Sequence, residues 1–148
     1  MVNELDRQIK KSYHQGAKIL TGGKRIDIPG FYYQPTVLTN ITMNMPVMKE
    51  ETFGPVAPLF IVEDEMQALN AANESCYGLG ASIWTKNIDK AKTMAYKIQS
   101  GNVFINEIVK SDPKLPFGGI KQSGFGRELS QYGLKEFVNV QTVYIKKH

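Results

Sequence analysis

Three short apolar runs, separated by two stretches with helical periodicity, limit most tightly what this chain can fold into. Residues 59–62, 79–84 and 102–106 read as strands. Between the first two, Glu63, Asp64 and Glu65 place acids where a helix N-terminus favours them, and Met66, Leu69 and Ala72 supply an apolar face that Gly78 is expected to end. Between the second and third, Asn87 is set to cap a helix whose apolar residues Ile88, Ala91, Met94, Ala95 and Ile98 recur until Gly101. Strand, helix, strand, helix, strand with short joins predicts right-handed crossovers in a parallel sheet, an α/β fold. Ligands of such sheets bind at the carboxyl ends of the strands, which puts Asn106 and the loop after it at a functional edge.

Upstream, Val2, Leu5, Ile9 and Tyr13 fall at spacings of three and four, one stripe on an amphipathic helix that Gly16 would close. Residues 17–20 read as a short strand broken by Gly22 and Gly23, residues 24–35 as irregular, and residues 36–38 as a second strand. Pro55 and Pro58 bracket the next strand, so pairing is expected to begin after Pro58. Downstream, residues 107–126 form a long glycine-rich connection of the kind that is functional or mobile in a compact domain. A helix is expected near 128–137. Residues 138–145 follow with Val138, Val140, Thr142 and Tyr144 alternating on one face, as in a half-exposed antiparallel strand.

At 148 residues, one globular core is expected. A composition of 42% hydrophobic and 22% charged residues reads as soluble, and no apolar run reaches the roughly 20 residues of a membrane helix. The first residues lack the basic and apolar regions of a signal peptide, so no export is expected. One cysteine, Cys76, permits no internal disulfide and suits the reducing cytoplasm, and with only His14 and His148 there is no Cys/His set for zinc. The net charge of +4 is spread among acids, which argues against a nucleic-acid partner.

Several sharp chemical readings fail on spacing. Gly119 and Gly124 are followed by Phe125 and Gly126 where a phosphate loop needs Lys and Ser/Thr, so the glycines read as turn formers. Cys76 is placed at a helix C-terminus, whose dipole disfavours a thiolate. No G-x-S-x-G surrounds a serine, and His14 and His148 are poorly placed for a triad. The stretch Glu50-Glu51-Thr52-Phe53-Gly54-Pro55-Val56 is different. Its acids could be solvated loop residues. Yet a carboxylate two residues before an aromatic, held by Gly-Pro at a strand mouth, suits a sugar diol with the ring against a flat heterocycle.

This stretch resembles the E-E-x-F-G-P motif of the NAD(P)-dependent aldehyde dehydrogenase superfamily. Further segments follow in that family's order: Gly16-Ala17-Lys18 with Gly22-Gly23, Pro35-Thr36-Val37-Leu38, Tyr77-Gly78-Leu79, Gly101-Asn102-Val103-Phe104-Ile105-Asn106, and Pro116-Phe117-Gly118-Gly119-Ile120-Lys121-Gln122-Ser123-Gly124-Phe125-Gly126-Arg127-Glu128. The last loop and residues 128–137 look most like succinate-semialdehyde dehydrogenases. The resemblance implies the parallel-sheet catalytic portion of that fold over residues 1–137, and an oligomerisation strand over 138–148. It assigns Glu51 to the nicotinamide ribose hydroxyls, Phe53 to the nicotinamide ring, Leu79 to its vicinity, Phe117 to the aldehyde tunnel and 107–115 to the loop that sets substrate preference. Glu50 is then structural.

In the family a cysteine attacks the aldehyde, hydride passes to the cofactor, and a glutamate activates water for thioester hydrolysis. The segments carrying those residues, the oxyanion-hole asparagine and the dinucleotide domain precede the matched region, and Cys76 falls downstream of the Glu51 motif. The implied protein is therefore a C-terminal part with no catalytic residue of its own, inactive and without bound NAD or NADP when alone. Its parent would oxidise a small aldehyde, and its terminal strand would seek a second copy; the alternative is a non-enzymatic assembly module.

Overall fold

The computed structural model describes residues 1–147, so His148 lies outside the described residues. The chain divides into two compact units rather than one, Met1–Ala71 and Ala72–His148.

The first unit is built on α1 (Val2–His14), which buries Leu5, Gln8, Ile9 and Ser12. Leu5 and Ile9 lie on the expected stripe, whereas Tyr13 is exposed and the polar Gln8 and Ser12 are inside. The helix stops as the spacing predicts: Gly16 takes φ +107°, where a residue with a Cβ is strained. Strand β1 (Lys18–Thr21) runs antiparallel to β2 (Thr36–Thr39), with a register shift between Ile19 and Thr21. Between them Gly22 sits at φ +73°, and a Cβ there would lie 2.2 Å from the Pro35 carbonyl oxygen. Leu5, Ile9, Ala17, Tyr33, Leu38, Ile41, Met45 and Val47 form the core, with Ile9 and Leu38 wholly buried.

Strand β3 is displaced from the expected position. It spans Val56–Pro58 and pairs in parallel with β2, whereas 59–62 carry no strand. In the parallel ladder the Thr36 N–H donates to the Pro55 carbonyl and the Leu59 N–H to the Leu38 carbonyl. Alternate nitrogens of β3 therefore face β2, and Pro58 occupies a position whose nitrogen points away, so the ladder loses no donor to proline. Before β3 comes a single helical turn, α2 (Pro46–Lys49), with proline at its start.

The division between units falls within α3 (Glu65–Glu74). This helix ends before Gly78, which belongs instead to β4 (Tyr77–Gly78). Strand β5 (Gly80–Ile83), α4 (Ile88–Ala95) and β6 (Asn102–Ile105) make a strand-helix-strand crossover where one is expected, with β5 and β6 parallel in register Gly80 to Asn102. Asn87 caps α4 as expected, its Oδ1 accepting from the Lys90 N–H at 3.0 Å. The helix closes early, at Ala95: the Lys97 N–H bonds only three residues back, to the Met94 carbonyl, while Tyr96 and Ile98 still bond four residues back. Strand β7 (Ile120–Lys121) pairs antiparallel with β4, and α5 (Ser130–Lys135) is a shorter helix than 128–137.

The continuous parallel sheet is thus corrected to three small sheets, β1-β2-β3, β4-β7 and β5-β6, in a mixed α/β arrangement. Residues 138–147 are in no strand, and Val138, Val140, Val143, Tyr144 and Ile145 are all exposed. A strand exists only through hydrogen bonds to a neighbour, and among the described residues this segment pairs with none. No helix of the described residues is long and apolar enough to cross a membrane.

Candidate functional site

In the first unit, the 50–56 stretch leaves α2 and is tied to the buried face of α1. The Glu50 N–H donates to the Pro46 carbonyl at 2.9 Å. Gln8, 2% exposed, donates from Nε2 to both Glu50 Oε2 and the Glu51 carbonyl oxygen, each at 3.1 Å. Arg7 closes on the same Glu50 carboxylate while also bonding Glu4. Two carboxylates beside one guanidinium raise the Arg7 pKa, with its hydrogen bond to the Glu4 carboxylate the largest cause, and that same bond holds Glu4 below its ordinary range. Glu50 is thereby a structural anchor, as the reading of its motif expected.

Glu51 is presented differently. Its backbone is fixed by Gln8, but its carboxylate is exposed and has no hydrogen-bond or ion-pair partner among the described residues. Phe53, two residues on, is 63% exposed. Between Phe53 and Pro55, Gly54 packs so tightly on α1 that a Cβ would fall 2.6 Å from Leu5 Cδ2. The loop backbone is therefore held while one acceptor and one aromatic face remain available. That pair fits a diol, which needs an acceptor for its hydroxyl hydrogens, next to a flat ring.

In the second unit, Leu79 and Phe117 line one hollow of about 720 Å³, together with Phe125, Arg127 and Leu134. Phe117 is half-buried and bridged to Glu128: the Phe117 N–H donates to the Glu128 carbonyl at 2.9 Å and the reverse bond measures 2.8 Å. Phe117 also borders a second hollow of about 360 Å³, whose wall includes Glu107, Lys110, Asp112 and Leu115 from the 107–115 loop. There Lys110 Nζ meets Glu107 Oε2 at 2.7 Å, and with the Ile108 N–H this bond keeps the Glu107 carboxyl below its ordinary pKa.

The glycine-rich loop is fastened by side chains that sequence reading did not single out. Lys121 Nζ donates to the Asn73 and Ser75 carbonyls, both at 2.8 Å, around the end of α3. Arg127 Nη1 donates to the Gly119 carbonyl at 3.0 Å, and Ser123 Oγ accepts from the Gly78 N–H at the same distance. A cation or hydroxyl amid glycines was the available signal, since such residues satisfy loop carbonyls and amides that no ladder reaches. At the loop's far end Leu129 adopts φ 63° and ψ 172°, a conformation reserved almost entirely for glycine. Asn106, directly after the carboxyl end of β6, extends the β5-β6 ladder with its side chain, exchanging bonds with the Thr85 N–H (2.8 Å) and carbonyl (2.9 Å). Cys76 is exposed and lines neither hollow. Among the described residues no group of His, Cys, Asp and Glu could hold a metal ion.

Comparison with known proteins matches residues 1–143 to the aldehyde dehydrogenase family. The chain is 49% identical to the succinate semialdehyde dehydrogenase Sad of Escherichia coli strain K12, over 96% of this chain and 31% of that one. It is 48% identical to a probable NADP(+) succinate-semialdehyde dehydrogenase of Synechocystis, over 93% of this chain and 30% of the relative. Among solved structures, succinic semialdehyde dehydrogenase from Streptococcus pyogenes in complex with NADP+ superposes with a TM-score of 0.93 at 43% identity, covering 99% of this chain and 32% of that one. Betaine aldehyde dehydrogenase from Staphylococcus aureus in complex with NAD+ gives a TM-score of 0.86 at 39% identity, over 92% and 28%. The chain thus spans about 31% of the length of the curated relatives it matches. With its fold, motif order and match over nearly the whole chain in agreement, the protein belongs to the aldehyde dehydrogenase family.

Proposed function

We propose that these residues are the C-terminal part of an NAD(P)-dependent aldehyde dehydrogenase whose substrate is succinate semialdehyde, and that they supply cofactor and aldehyde contacts but no reacting group. The observation that carries this reading is the contrast within the Glu50 stretch. Glu50 is consumed by Arg7 and Gln8, whereas the Glu51 carboxylate and the Phe53 ring stand exposed on a tied loop backbone with nothing bound to them among the described residues. Glu51 would accept hydrogen bonds from the nicotinamide ribose hydroxyls, and Phe53 would lie against the nicotinamide ring. When bound, that cofactor supplies the hydride acceptor for oxidation of the aldehyde to the acid. Leu79 and Phe117 would form apolar walls, near the nicotinamide and along the aldehyde path, and the 107–115 loop would set which aldehyde fits. The names of the similar enzymes support succinate semialdehyde as the substrate.

The test is aldehyde-dependent NAD(P)H formation. The purified chain alone is expected to give none, and the same chain mixed with a polypeptide carrying the first two thirds of a relative is expected to restore it. In that mixture Glu51→Gln should raise the cofactor KM more than the aldehyde KM. Turnover by the chain alone, or an unchanged cofactor KM, refutes the assignment. By calorimetry the isolated chain should bind NAD or NADP only feebly, and micromolar affinity would show the cofactor contacts to be misplaced.

The exposed, unpaired apolar segment 138–147 favours a second role compatible with the first, association with another copy through an added strand. Sedimentation at tens of micromolar is expected to show homo-oligomers that disappear on Val140→Lys. A strictly monomeric profile for the parent chain counts against it.

A further inference from the structure

We propose that Asn102 is a positioning residue that fixes Leu79 and Phe117 on the wall of their common hollow by bracing the two backbones against each other. The functional weight of this role rests on the reading of Leu79 and Phe117 given above; the geometry does not.

Asn102 opens β6, and its Nδ2 donates to the Leu79 carbonyl at 2.8 Å and to the Gly118 carbonyl at 2.9 Å. Both partners are oxygens, so only the amide nitrogen can serve, and its two hydrogens match two acceptors. Leu79 joins β4 to β5, and Gly118 directly follows Phe117. One side chain thus spans from the strand connection carrying Leu79 to the loop carrying Phe117.

Its neighbours leave no slack for the brace to be replaced. The Gly101 N–H donates to the Gly78 carbonyl at 2.9 Å, and a Cβ on Gly101 would sit 1.8 Å from the Gly118 oxygen. The start of β6 and the 118–119 backbone are therefore in direct contact, and the Asn102 side chain supplies a hydrogen to each of the two carbonyls it faces. On the other side Arg127 holds Gly119, and the Phe117–Glu128 bridge carries the constraint to the ring's own residue. An aspartate in this position has the shape of asparagine but turns an acceptor toward two acceptors. Protonation returns one hydrogen to it.

Amide hydrogen exchange of the full chain, followed residue by residue by NMR, tests the brace without any aldehyde or cofactor. In Asn102→Ala and Asn102→Asp, the Phe117 and Glu128 amides are expected to exchange faster by on the order of thirtyfold at neutral pH, two ordinary net hydrogen bonds' worth. The Ala91 amide, bonded to the Asn87 carbonyl at 3.1 Å in α4, should be unchanged. After correction for intrinsic exchange, lowering the pH through the new carboxyl's titration should restore part of the protection in Asn102→Asp and none in Asn102→Ala. Unchanged exchange at Phe117 and Glu128, equal acceleration at Ala91, or a flat pH profile in Asn102→Asp overturns the proposal. Should the variants not fold, the parent chain decides: both Asn102 side-chain amide hydrogens must exchange slowly, and rapid exchange of either refutes the brace. Failure of the enzymatic reading would leave all of these outcomes untouched.

Discussion

Replacing Gln8 by alanine should destabilise the first unit by about 3 kcal/mol, because one buried amide bonds both Glu50 and the Glu51 backbone. Its bond to the Glu51 carbonyl, 3.1 Å long, contributes about 1 kcal/mol net, as neutral hydrogen bonds do. Its second bond is charge-assisted, but the Glu50 side chain is 38% exposed and shared with Arg7, so solvent and the guanidinium replace much of it. About 1 kcal/mol remains after that discount. Truncation also removes a side chain that is 2% exposed, and the lost burial of its methylene adds about 0.8 kcal/mol. For a unit of this size each kcal/mol moves Tm by about 4–8 °C, so a fall of at least about 10 °C is expected by circular dichroism. Gln8→Glu should be worse, because it sets an anion against both the Glu50 carboxylate and the Glu51 oxygen. A melting point within about 2 °C of the parent for Gln8→Ala, a margin well under the shift expected from 1 kcal/mol, would falsify the claim that this amide holds Glu50 and the Glu51 backbone.

Four further perturbations follow from the same structure. Tyr33, buried and bonded through its hydroxyl to Asp6 at 3.2 Å, has its pKa pushed up to about 12, chiefly by burial and then by the Asp6 charge. Since the folded value lies above the unfolded value of 10.0, this stabilises the protein fully below pH 10 and is lost as pH rises toward 12. Urea unfolding should therefore weaken over that interval in the parent and not in Tyr33→Phe. Asp6 has the opposite sign: the Lys10 bond, with help from Tyr33, lowers its pKa, so its contribution is present above the ordinary aspartate value near about 4 and fades on acidification, an acid-limb slope that Asp6→Asn should remove. Gly101→Ala should unfold the second unit's hollow, seen as lost near-ultraviolet circular dichroism, because the new Cβ would lie 1.8 Å from a backbone oxygen. Asn87→Ala should cost about 1 kcal/mol by urea denaturation, the usual value of a lost N-cap.

The sequence by itself determined the features that reside in one element at a time. The stripe of Leu5 and Ile9 and the break at Gly16 fixed α1, and Asn87 fixed the start of α4, because periodicity and caps are local properties of the chain. The order of motifs likewise identified the family. Only the tertiary structure decided how the strands pair. Apolar runs at 59–62 and 79–84 carry no mark of which neighbour they will meet, and Pro58 could enter β3 only because its nitrogen happens to face away from β2. Buried polar groups were invisible for the same reason. Nothing local marks Gln8 as interior, because its acceptors stand 42 and 43 residues away, nor Asn102, because the Leu79 and Gly118 carbonyls reach it only once β6 has docked. A polar side chain becomes interior only when the fold delivers its partner, and no local pattern records that meeting.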